Sequence, residues 1–110
     1  MIGLLLLLTQ AADQSLFPAS FSLMGMGTES CATAFNENAE PYTRQWIAGF
    51  VSGANGRDGG HVGTGTDLNG VVGEVKLICS REPSKLLAWA TLTAYEKLRP
   101  EPWEKYRPKK

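Results

Sequence analysis

Two cysteines, one histidine and a few spaced carboxylates are the side chains of this 110-residue sequence whose types could carry chemistry. Cys31 and Cys79 are the only thiols, and each lies in a segment of helical spacing. A cysteine nucleophile needs a single activated thiolate, whereas an even pair behind an apolar leader points to a disulfide. One bridge is therefore expected, between the first and third helices. His61 sits in the glycine-rich stretch GRDGGHVGTG, residues 56–65, which invites comparison with phosphate-binding loops. A P-loop needs GxxxxGKS/T between strand and helix, and a dinucleotide fingerprint needs GxGxxG in a strand-helix-strand unit. Neither pattern is present, and His61 has no partner residues at metal-ligand spacing. No Ser, His and acid arrangement is recognisable either. Glu37 and Glu40, three apart, could in principle do acid–base work, but a solvated helix face is the commoner use of such a pair. No catalytic residue, metal or cofactor is expected, and no enzyme.

The elements that would position these residues are few. Removing a leader and a tail leaves roughly 70 to 80 residues, one small domain with a marginal core. Chain-entropy arithmetic gives a bridge from Cys31 to Cys79 roughly 4 kcal/mol, a large share of the stability of so small a domain. Eleven basic and eleven acidic residues give zero formal charge, so no basic field recruits nucleic acid or anionic lipid.

Along the chain, residues 1–12 (MIGLLLLLTQAA) read as a secretory signal peptide without its positive start, too short to span a bilayer as a helix. A buried N-terminal helix is the alternative, though five consecutive leucines offer no polar face. Residues 13–27 sustain no period and read as an extended or poorly ordered arm, packed on its own domain or free to engage a client. Residues 28–99 read as a helical domain. Thr28 is a candidate N-cap, with Glu29 in the first turn of a helix reaching about Ala39. Pro41 ends that helix or starts the next. In residues 42–55, Trp46, Ile47, Phe50, Val51 and Ala54 form one stripe, beside Gly49 and Gly53, which are expected to admit a neighbouring helix. Thr66 or Asp67 caps a third helix with Leu68, Val71, Val72, Val75, Ile78 and Cys79 inward, a helix by spacing although its β-branched residues also suit a strand. Ser84 caps a fourth, to about Leu98, with Leu87, Ala90 and Ala94 or Tyr95 inward and Leu86 and Trp89 widening the stripe. Residues 100–110 are a flexible tail whose Trp103 and Tyr106 could dock on the body. The expected fold is all-α, a small four-helix single domain with one disulfide joining helix 1 and helix 3.

The segments S-C-A-T-A-F at 30–35, W-I-A-G-F at 46–50, T-D-L-N-G-V-V at 66–72 and C-S-R-E-P-S-K-L-L at 79–87 together resemble the HdeA/HdeB family of small periplasmic acid-stress chaperones. The likeness covers residues 30–98. The glycine-rich loop, the aromatic arm and tail, and the charge pattern depart from the family. The resemblance implies a periplasmic protein, often dimeric, that loosens at low pH and holds unfolding clients on apolar surface. On that reading Trp46, Phe50, Val51, Val72 and Val75 are the client or partner surface, and Glu37, Glu40, Asp67 and Glu74 are pH-sensing carboxylates. Its partners are then unfolded or partner proteins and a second copy, not nucleic acid, without stable membrane insertion. The C-x-x-x-P segment from Cys79 to Pro83 also resembles small exported immunity proteins of the Rap1a type, which implies binding by the folded state. An exported accessory with no activity of its own is the third reading.

Overall fold

The computed structural model describes residues 21–99; the leader read at 1–12, residues 13–20 of the arm and the tail at 100–110 lie outside them. Four α-helices follow a single 3-10 turn at Gly25–Thr28: α1 Cys31–Ala34, α2 Glu40–Asp58, α3 Leu68–Arg81 and α4 Leu87–Leu98. Among the described residues there is no strand, only an isolated antiparallel bridge between Ser30 and Leu86. The fold is thus all-α, and the Cys31–Cys79 disulfide joins α1 to α3 with 5.1 Å between Cα atoms, within the usual span for a bridge.

α4 is the central helix. Leu87, Ala88, Ala90, Thr91, Leu92, Ala94 and Tyr95 are all buried, so most of its circumference faces protein. Small residues at 88, 90 and 94 let its neighbours come close, and the Thr91 hydroxyl satisfies itself within the helix by donating to the Leu87 carbonyl at 2.8 Å. Around it pack Ile47 and Val51 of α2, Val71, Val72, Val75 and Cys79 of α3, and Cys31 and Ala34 of α1. The Thr43 hydroxyl, buried, donates to the Ala34 carbonyl at 2.6 Å and fastens the end of α1 to α2.

Several local expectations change. α1 starts at Ser30, whose hydroxyl accepts from Thr33 N, and it lasts one turn rather than reaching Ala39. Thr28 belongs to the 3-10 turn, where its hydroxyl donates to the Gly25 carbonyl. The end of the arm is therefore structured, with Gly27 buried and Met26 against the core. Pro41 lies in the first turn of α2, where its missing N–H costs nothing. α2 runs on to Asp58 and ends on Gly59 at φ +67°, so the glycine-rich loop starts later than the composition implies. Asp67 rather than Thr66 caps α3, accepting from Gly70 N at 2.9 Å. α4 begins at Leu87 instead of after Ser84 because the preceding backbone is engaged elsewhere. Cys31 N donates to the Lys85 carbonyl, Ala32 N to the Pro83 carbonyl and Leu87 N to the Glu29 carbonyl. That pairing satisfies orphan N–H groups at the starts of α1 and α4 together. Leu86, expected in the inward stripe, is 46% exposed. Gly49 and Gly53 have open space where a Cβ would sit, so neither admits a neighbouring helix within the described residues.

Candidate functional site

The five apolar candidates lie in two depths. Val51, Val72 and Val75 are buried in the core shared by α2, α3 and α4. Trp46 and Phe50 stand at its edge, half-buried, their rings stacked with centroids 5.3 Å apart. The 3-10 turn lies across Trp46, whose Nε1 donates to the Met24 carbonyl at 2.9 Å. Gly27 makes this approach possible, since a Cβ there would sit 2.1 Å from Trp46 Cζ2. Beside this cluster Met24 is 82% exposed and Tyr42, one turn before Trp46 on α2, is 70% exposed. Of the five candidates, it is therefore Trp46 and Phe50 at this edge, and not the three valines, that present apolar surface in the folded state.

The four carboxylate candidates do different jobs. Glu37 is exposed and lines an open depression with Glu40, Pro41, Arg44 and Gln45. Glu40, in the first turn of α2, accepts from Lys76 of α3 at 3.4 Å, and Lys76 also lies 5.8 Å from the centre of the Phe35 ring. Arg44 reaches Asn69 across the same helix pair. Glu74 of α3 pairs with Lys97 of α4. Asp67 is occupied as the α3 cap.

A fifth carboxylate, Asp58, was not singled out from the sequence, and it is the most heavily engaged. Its side chain is only 17% exposed. Arg57 Nε and Nη2 donate to its two oxygens at 2.7 and 3.0 Å, the fully buried Tyr95 hydroxyl of α4 donates to Oδ2 at 3.3 Å, and Arg99 Nη1 lies 3.9 Å away. Hydrogen bonding from Arg57 is the leading reason that Asp58 is held below the ordinary carboxylate value, while burial first and the neighbouring carboxylate second push the Tyr95 phenol up. The sequence signal that marks Asp58 is Gly59-Gly60 directly after it, a helix C-terminal pattern.

Asn55, one turn earlier, closes the glycine-rich loop. Its amide nitrogen donates to the Val62 carbonyl and its oxygen accepts from Val62 N, both at 3.0 Å, which turns Val62 into the core. His61 beside it is exposed. Between this loop, α2 and the start of α3 lies an open groove of about 310 Å³ lined by Val51, Ser52, Val62, Leu68 and Val71 among others.

Among the described residues, no three His, Cys, Asp or Glu side chains gather to hold a metal ion, and no helix is long and apolar enough to cross a membrane. Comparison with protein-family models, with curated proteins and with solved structures finds no match to this chain.

Proposed function

We propose that this chain is an exported, periplasmic protein of a bacterium whose helices loosen in acid and then hold unfolding polypeptides on their apolar faces. One observation carries the reading: each pair of long helices is tied by a carboxylate. Glu40 ties α2 to α3, Glu74 ties α3 to α4, and Asp58 ties α2 to α4. The Glu40 and Glu74 ties are ion pairs that need the charged carboxylate, and ionisation strengthens the Asp58 tie to Tyr95 and adds Arg99 of α4 to it.

Exposed ion pairs of this kind are each worth about 0–1 kcal/mol, so no single one governs the fold. Acid acts against all of them. Carboxylates protonate at about pH 4 and below, and a chain with zero formal charge at pH 7 becomes strongly positive and self-repelling. For Asp58 the sign is set by its lowered value in the folded protein. Its contribution is fully present above the ordinary 3.8 and is lost as pH falls through the lower folded value. The disulfide does not titrate in this range and keeps α1 fastened to α3. What separates is α2 and α4, and their separation brings Val51, Val72 and Val75 to water beside Trp46 and Phe50.

The direct test is aggregation of an acid-labile client protein at pH 2 to 3, with and without an equimolar amount of this chain. Suppressed light scattering at pH 2 to 3, and none at pH 7, is the expected result. Binding of a partner at pH 7 with no effect in acid would favour instead a module that works folded, as an immunity-type protein does. The exposed Met24 and Tyr42 beside Trp46 are the surface such a module would use.

A further inference from the structure

We propose that the glycine-rich segment, residues 59–67, is a lid that opens as a unit while the helices remain packed, with the Asp58 carboxylate as its latch. The proposal rests on the acid-loosening reading and names a segment that opens locally.

A chain of contacts runs from the latch into the segment. Asp58 Oδ2 accepts from the Tyr95 hydroxyl. That hydroxyl lies against Gly60, where an added Cβ would be 2.8 Å from it and 2.9 Å from Asn55 Oδ1. Gly60 N donates to the Asn55 carbonyl at 2.9 Å, and the Asn55 side chain holds Val62 from both sides. Two further backbone bonds, Thr64 N to the His61 carbonyl and Thr66 N to the Gly63 carbonyl, lie within the segment itself. Its two ends suit a hinge. Gly59 sits in the left-handed region at one end, and Asp67 closes the start of α3 at the other. Beneath lies the groove at Val51, Leu68 and Val71. Lifting Val62 out of the core opens that groove into it, so the apolar surface this opening releases is on the α2–α3 side.

The charged and titratable groups around the latch come from each element packed on it. Arg57 is on its own helix. Tyr95 and Glu96 are on α4 and Arg99 caps its end, with Glu96 Oε1 4.0 Å from Arg99 Nη1. Within residues 59–66 the lid itself brings one titratable side chain, the exposed His61. Protonating Asp58 takes the charged acceptor from Tyr95 and the anion from Arg57 and Arg99 in one step.

Amide exchange in the full oxidised chain tests this, with Val62 N–H reporting the lid and Val75 N–H reporting the helical core. In Asp58→Asn at pH 7, the Val62 protection factor is expected to fall about tenfold or more, the scale of one hydrogen bond to a charged group, while Val75 keeps its own. Tyr95→Phe, which keeps the ring and removes only the hydroxyl, is expected to loosen Val62 in the same direction and serves should the asparagine variant not fold. In the wild type at pH 7, Val62 is expected to exchange through a local opening and to carry a lower protection factor than Val75. Equal losses at both amides, or no change at Val62 in either variant, would overturn the lid. Neither readout involves a client, so a failure to suppress aggregation leaves this result separate.

Discussion

Gly27 decides how the N-terminal turn meets the domain. It is buried with its Cα against the Trp46 ring, and its φ is not in the left-handed region, so the constraint is space and not backbone freedom. Gly27→Ala places a methyl group where the ring stands. We expect a loss of about 1–3 kcal/mol, the scale of overpacking, together with a red shift of Trp46 emission as the ring moves into solvent, read by urea unfolding with fluorescence. This residue could not be found by reading the chain, since one glycine among four in the stretch from 25 to 53 looks like another. Its role depends on a contact between positions 19 residues apart. Asp58 was hidden for a related reason: its partner Tyr95 arrives from the other end of the domain. Asp67, by contrast, was legible as one of two candidate caps because its bond runs only three residues forward.

At the scale of elements, α3 was the most legible. An Asp cap, apolar residues at 68, 71, 72, 75, 78 and 79, and Pro83 beyond the end all point to one helix, and the structure places it at Leu68–Arg81. The end of α1 was misjudged because local turn bonds compete with the helix there, and the start of α4 because long-range pairing overrides local preference. The Asn36 side chain accepts from Ala39 N and its carbonyl accepts from Glu40 N, which draws the chain into turns leading to α2. The backbone from Pro83 to Leu87 is committed to Glu29, Cys31 and Ala32. The clearest corrected expectation concerns Gly49 and Gly53, which face open space on α2. Gly49→Ala and Gly53→Ala should each raise stability by about 0.5–1 kcal/mol, since alanine fits and costs the helix less. Urea midpoints check this. A lowered midpoint that depends on protein concentration would place a second copy of the chain against this face.

For the molecule as a whole, the proposed reading sets the bridge against the charge balance as pH falls. Cys31 and Cys79 are 48 residues apart in sequence, and closing a loop of that size contributes roughly 4 kcal/mol by restricting the unfolded chain. Reduction should therefore remove most of the stability of a domain this small, with the thermal midpoint of the reduced protein at pH 7 as the readout. Acid leaves the bridge intact and removes the carboxylate ties, so an acid-loosened form keeps its α1–α3 connection where a reduced form does not. The central claim is that packing is lost in acid while the tethered helices remain. Its most direct measurement is a titration of the oxidised protein from pH 7 to pH 2, following near- and far-ultraviolet circular dichroism together with binding of a hydrophobic dye. The account predicts loss of the near-ultraviolet signal and a rise in dye binding near pH 3, with much of the helical signal kept. A protein still packed and dye-silent at pH 2 would contradict it.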